Sequence, residues 1–401
     1  MRPGRALAAV GLDALARGVL VPVMSLLALE KGLTLAQLAA GLALYSAAAF
    51  LLEVPSGVLA DLLGRKRVFL LAQCSYAFAL TLFWAARGTA PLYGALVLYG
   101  VAKALASGSM DALYIDTCLA AHAAGGLPRA AMRLNLWGTA GYAVGSLLGG
   151  GLNWAGQAFA GRGGGAVLPA ALLLTLAALG AGASTREARP AGTKGEGAGP
   201  RRPMAALRRA CAASPALPVL LGSTLFTGVV LALIETFWQP RFAALLPGER
   251  FSWLLGVLGF AYFAVSALGS VLAERLLARR SPRGVYLAFA GLFGLAVAAL
   301  SLAGGPVLFA GAYLAAYLVF GVATTAQSVA INAAAPPEMR ATLLSGQGFA
   351  LQIGGFAGSL FASLSADRLG VPALWQWGAG LFLAGMALTG AVLRRTARKT
   401  E

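Results

Sequence analysis

Charge is scarce in this chain. Only 11% of its 401 residues are Asp, Glu, Lys or Arg, against about 25% in a water-soluble domain. Too little polar sequence remains to clothe a water-facing surface. With 59% hydrophobic residues and a mean hydropathy of +0.77, the solvent that suits the chain is lipid. Histidine is nearly missing: His122 is the only one. A Ser/His/Asp set has no other imidazole to use, and His122 falls in an expected loop, so an enzyme is not expected. Cysteine is sparse as well. Cys74, Cys118 and Cys211 stand singly, with no CxxC, HExxH or Cys/His cluster, which speaks against a metal site. Acidic residues number 14 against 31 basic ones, a net charge of +17. The basic residues come in short runs between apolar stretches, and no compact basic domain with interleaved aromatics exists. That pattern argues against a nucleic-acid partner and for loop charges that set membrane orientation.

What the chain does have is long apolar runs. A membrane-spanning helix needs about 20 mostly apolar residues. Spans are expected over 6–29, 38–60, 68–87, 91–118, 134–158 and 166–184, then over 217–238, 252–277, 285–303, 306–332, 342–366 and 372–393. The first run is longer than a signal-peptide core, typically about 7–15 residues, and reads as a retained span. In lipid each segment must satisfy its own backbone hydrogen bonds, so the spans are helices. Absence of alternation excludes a β-barrel. The expected fold class is therefore an all-α membrane protein of twelve transmembrane helices.

Lysine and arginine orient the spans. With a cytoplasmic N-terminus, only Lys31, Arg87, Arg162, Arg241, Arg250 and Arg368 fall in outside loops, and Arg17 and Lys103 fall inside spans. The remaining 23 of the 31 lie on the cytoplasmic side, so both termini are expected there, in a multi-pass cell-membrane protein. Residues 185–214, rich in Arg, Gly and Pro, read as a cytoplasmic linker between a first half (1–184) and a second (215–401). The halves echo each other. Gly57-Val58-Leu59-Ala60-Asp61 is matched by Ser270-Val271-Leu272-Ala273-Glu274, each ahead of a basic loop. Arg133 pairs with Arg340, and Gly141 and Gly348 lie eight residues beyond them. Such repeats are a common plan for transporters.

Residues 57–67, Gly-Val-Leu-Ala-Asp-Leu-Leu-Gly-Arg-Lys-Arg, resemble the signature loop between helices 2 and 3 of the major facilitator superfamily. Gly57, Asp61, Gly64, Arg65 and Lys66 match its pattern, and Leu62 departs from the usual basic residue. The resemblance extends over essentially the whole chain. It implies a fold of two pseudo-symmetric six-helix halves, and a loop that latches the halves on the cytoplasmic side, with Asp116 as the partner of Arg65. Gly57 suits a close helix approach, Gly64 a tight turn, and Asp61 hydrogen bonds from a helix N-terminus or a guanidinium. The segments Glu53–Gly57, Ser107–Asp116 and Phe237–Pro240 look like a bacterial efflux-like branch. Two departures stand against an antiporter pattern. Ser146 replaces the proline of the span-5 glycine motif, and Lys103, the nearest basic residue in span 4, stands five rather than four residues before Gly108.

Ionisable side chains at membrane depth tend to face a cavity or a partner. Asp13 and Arg17 share one face of span 1 at i, i+4, either as an insertion pair or as a cavity wall. Glu53, on span 2, has no basic neighbour within a helical turn and ranks first as a proton-coupling acid. Asp111 comes second and the paired Asp13 third. Lys103 and Arg17 are candidates for an anionic substrate group. Glu235, with Trp238 and Gln239 one turn on, forms either a cavity rim or an interfacial anchor. Gln347 and Gln352 add polar points to span 11. The expected function is alternating-access transport of a small solute, with proton-coupled efflux of amphipathic molecules placed first. Uptake of a small metabolite and a membrane-embedded sensor or interaction protein are the alternatives. The expected protein is a monomer in a lipid bilayer, with no cofactor and the proton gradient as energy source.

Overall fold

The computed structural model describes residues 3–107, 109–121, 126–160, 164–185, 187, 211, 214–334 and 340–398. Helices make up almost all of this, with no strand among the described residues. The first six expected spans correspond to α1 (Pro3–Leu20) with α2 (Met24–Glu30), α3 (Leu35–Leu63), α4 (Arg65–Ala85), α5 (Thr89–Ala106) with α6 (Ser109–Ala121), α7 (Gly126–Ala160) and α8 (Gly164–Ala183). The second set comprises α9 (Ala216–Leu245), α10 (Leu254–Leu277), α11 (Pro282–Ser301), α12 (Pro306–Ala334) and α13 (Arg340–Arg398). Gly370, with φ 73°, breaks α13 into two arms. Among the described residues nine helices are long and apolar enough to cross a membrane, ten when the bent pair α1 and α2 counts as one span. α7 is long enough, but its glycines and polar residues keep it out of that set. With the two arms of α13 taken separately, the arrangement is consistent with twelve spans.

Local sequence explains the ends and bends. Thr34 and Gln37 form a reciprocal capping box at the start of α3, satisfying two otherwise orphaned N–H groups. Pro22 stands in the break between α1 and α2, which bend by 45°; proline lacks an N–H to continue the helix.

The contacts divide the chain into two compact units: Met1–Lys194 with Leu246–Phe263, and Gly195–Leu245 with Ala264–Glu401. Most of the 185–214 linker falls outside the described residues. In the first unit α1 lies along α7 and against α8, and α5 lies between α3 and α4. In the second, α9 lies along α13, and α11 packs against α12 and α13.

The internal repeat shows in where backbones touch. A Cβ on Gly145 would fall 2.5 Å from the Leu15 carbonyl and 2.7 Å from Gly18 Cα. Gly354 and Gly228 approach each other in the same way in the second unit. Glycine permits this spacing, and in lipid close approach supplies the packing energy that water exclusion supplies elsewhere. The expected partner of Gly141 was Gly348, but a Cβ there would meet no atom within 4 Å. Gly141 does sit tightly, against Gly11, Ala14 and Leu15, but it is Gly145, against Leu15 and Gly18, that Gly354 matches, against Leu225 and Gly228. The two repeats therefore align in space two residues away from the arginine-based match. A second echo lies at helix ends. Lys31 Nζ donates to the Trp84 and Ala86 carbonyls (2.9 and 3.2 Å), and Arg241 donates to the Ala303 carbonyl (3.2 Å). Each cation meets the negative C-terminal end of the third span of its set.

Candidate functional site

A cavity of about 410 Å³ opens in the first unit. α1 contributes Asp13 and Arg17, and α5 and α6 contribute Lys103 and Asp111. Asn135, Thr139 and Tyr142 come from α7, and Phe69, Met110 and Phe263 complete an apolar side.

Asp13 and Arg17, one helical turn apart, form an ion pair. Asp13 is buried and also accepts from Gln73 Nε2 at 2.9 Å. Arg17 donates to the Tyr76 hydroxyl at 2.8 Å and lies 5.2 Å from the centre of that ring. Tyr76 packs edge-on against Tyr99 at 4.8 Å, and Tyr99 lies 6.0 Å from Tyr45. Lys103 Nζ stands 5.2 Å from the Tyr45 ring. A row of three tyrosines thus joins the two cations. Ring faces carry partial negative charge and stabilise cations held away from water.

Span 4 is broken at this depth. α5 ends at Ala106 and α6 starts at Ser109, and Ser107 takes an extended ψ of 122°. The Ser107 hydroxyl donates to Glu53 Oε1 at 2.9 Å. Glu53 itself lies two residues before Pro55, which sits inside α3. Glu53 therefore stands behind the cavity wall, holding the broken helix, while Asp111 is exposed on the wall itself. Among the described residues no cation lies within 4 Å of the Asp111 carboxylate.

The structure thus brings together Asp13, Arg17, Lys103 and Asp111 and places Glu53 one hydrogen bond away. The candidates of the second set belong to the other unit. Glu235 accepts from the Tyr317 hydroxyl. Trp238, expected at a rim or an interface, is instead fully buried, 5.2 Å from Tyr313. Its ring packs between α9 and Tyr313 of α12, and its indole N–H has no hydrogen-bond partner among the described residues. Gln239 is also buried. Gln347 donates to Gln327 Oε1 at 3.3 Å, joining a buried network of Ser223, Thr224 and Tyr286 around Gln327. Gln352 is half-buried on the same arm of α13. Sequence reasoning missed the tyrosines, Gln73 and Asn135. Tyr99 was findable, since it precedes Lys103 by four residues on the same helical face. Tyr45 and Tyr76 reach the cations only through tertiary packing.

At the far end of α3, Gly64 turns the chain at φ 93°. Arg65 pairs with Asp116. Glu187, which sequence reasoning did not single out, accepts from the backbone N–H groups of Arg65 and Lys66 (2.8 and 3.3 Å), meeting the positive end of α4. Lys66 Nζ reaches the Ala183 and Thr185 carbonyls at 2.8 and 2.7 Å. A Cβ on Gly57, expected to admit a neighbouring helix, would meet no atom within 4 Å, because that face of α3 is exposed. The Asp61 side chain lies outside the described residues, as do Gly108 and His122.

Residues 6–248 match the family model described as Major Facilitator Superfamily. The chain belongs to this superfamily. No curated protein matches it. Solved structures share the fold. The nucleoside transporter NupG superposes with a TM-score of 0.76 at 16% identity, covering 98% of this major facilitator and 99% of that chain. A bacterial homologue of the human lysosomal transporter Spinster, inward-facing and occupied, gives 0.73 at 17% identity, with 99% and 96% covered. The POT family transporter PepTSo gives 0.72 at 11% identity, with 99% and 98% covered. At these identities the likeness is one of fold.

Proposed function

We propose that this major facilitator exports a small amphipathic solute across the cell membrane in exchange for protons, by alternating access, with both termini cytoplasmic. The observation that carries the reading is the cavity where Asp13, Arg17, Lys103 and Asp111 converge beside Tyr142 and Phe263. A lining that combines charged and polar groups with apolar and aromatic ones suits an amphipathic guest. Asp13 is committed to Arg17, so it serves to fix the guanidinium. Asp111 has no such commitment and can hold either a proton or a cationic group of the solute. Competition for that carboxylate exchanges one for the other, provided each binds the two access states differently. Glu53, through Ser107, couples the same event to the shape of span 4. The Arg65–Asp116 pair and the Gly64 turn act as the conformational latch, together with Gly57, Asp61 and Lys66. Glu235, Gln239, Gln347 and Gln352 are the second unit's contribution to the solute path.

The test is transport in proteoliposomes screened with candidate solutes, with and without an imposed proton gradient. Wild-type flux should run opposite to proton flow. Asp111→Asn should abolish the response to the gradient, and Glu53→Gln should slow it. Unchanged gradient-driven flux in both variants removes these acids from coupling, and flux running with the protons replaces export by uptake.

A further inference from the structure

The charges of the cavity carry a more specific conclusion about its guest. Four ionisable groups line the cavity, Asp13, Arg17, Lys103 and Asp111, and their formal charges cancel. Asp13 and Arg17 neutralise each other directly. The other two do not. Among the described residues no carboxylate lies within 4 Å of Lys103 and no cation within 4 Å of Asp111. Glu53, the acid nearest the break, is hydrogen-bonded to Ser107. Lys103 rests on the Tyr45 ring, which stabilises a cation but does not cancel its charge. Lys103 also feels the Glu53 carboxylate, and Asp111 the Arg17 guanidinium, at longer range, but among the described residues neither has an ion-pair partner, and the two face a single cavity from the two sides of the span-4 break. Eight residues of chain separate them, across the non-helical Ser107. The same cavity is lined by the apolar Met110 and Phe263 and the ring of Tyr142.

A singly charged guest would answer one of these groups and leave the other without a direct counter-charge, which is costly in a site of low dielectric. A guest with no charge would leave both. Resting on the reading that this cavity is the solute site, we propose that the solute is a zwitterion with well-separated charges. Its ammonium group meets Asp111, its carboxylate or other anionic group meets Lys103, and an apolar body lies between. The proton of the exchange cycle then competes with the ammonium end alone.

The experiment uses the full-length protein in detergent, with 4-aminobutyrate, 6-aminohexanoate and 8-aminooctanoate as probes. Hexylamine and hexanoate are the singly charged controls, and binding is read by thermal shift and by titration calorimetry. One length of the zwitterion series should bind about tenfold or more tighter than either control, as one further charge-assisted contact provides. Lys103→Gln should reduce that zwitterion to about the affinity of hexylamine, whose own binding should not weaken. Asp111→Asn should reduce it to the affinity of hexanoate. Lys103→Arg and Asp111→Glu, which keep the charges, should retain binding and guard against misfolding of the neutral variants. Failure of every zwitterion to bind, or a control that binds as tightly as the best of them, overturns the zwitterion. Tight zwitterion binding that ignores both neutral variants overturns the cavity as the solute site instead.

Discussion

Breaking the Asp13–Arg17 pair from either side separates its structural from its functional weight. The pair is largely withdrawn from solvent, with side-chain exposures of 7% for Asp13 and 22% for Arg17. Removing one member of such a pair costs about 3–5 kcal/mol, because the other is left charged and unmatched. The two losses should not be equal. After Asp13→Asn, Arg17 keeps the Tyr76 hydroxyl at 2.8 Å and the ring at 5.2 Å, and retains more of its exposure. That variant belongs near ~3 kcal/mol. After Arg17→Gln, Asp13 keeps only the Gln73 amide at 2.9 Å and belongs near ~5 kcal/mol. In the double variant neither charge remains, and its cost should fall short of the sum by about 3 kcal/mol. The assay is reversible denaturant titration in mixed micelles for all four proteins, followed by solute binding. If the pair also forms the cavity wall, the double variant regains stability without regaining affinity. An additive double variant, or Asp13→Asn costing more than Arg17→Gln, refutes the reasoning.

Three further outcomes follow from the geometry. Gly145→Ala should destabilise by about 1–3 kcal/mol, because its Cβ would overpack α1, whereas Gly151→Ala, facing open space on the same helix, should gain about 0.5–1 kcal/mol; thermal melts of the two decide. Gly64→Ala should cost about 1–2 kcal/mol for its left-handed φ and push against Glu187 Oε2, 2.8 Å from the new Cβ; it should lower the melting midpoint. Asp116→Asn breaks an exposed pair (32% and 59% exposed), so stability should change by less than ~1 kcal/mol, while the transport rate in proteoliposomes changes if the pair is a latch.

The long apolar stretches were legible because lipid leaves a buried backbone no partner but itself. Each stretch therefore announces a helix regardless of its neighbours. The i, i+4 spacing of Asp13 and Arg17 was legible for the same reason, since one helix contains both. The bend at Pro22 lies where a proline marks it. The break at Ser107 has no proline, and it shows only once Glu53 from α3 holds the serine hydroxyl.

Sequence by itself determined the membrane setting, the helical spans, the duplicated plan and which ionisable groups had to find shelter. Tertiary structure alone decided their company: that Tyr45, Tyr76 and Tyr99 join Lys103 to Arg17, that Trp238 is buried against Tyr313, that Glu187 meets the start of α4, and that Gly354 answers Gly145 while Gly348 makes no close contact. The physical reason is range. Backbone satisfaction and helical spacing act within a few residues of chain, but the partner of a desolvated charge is chosen by whichever helix packs beside it.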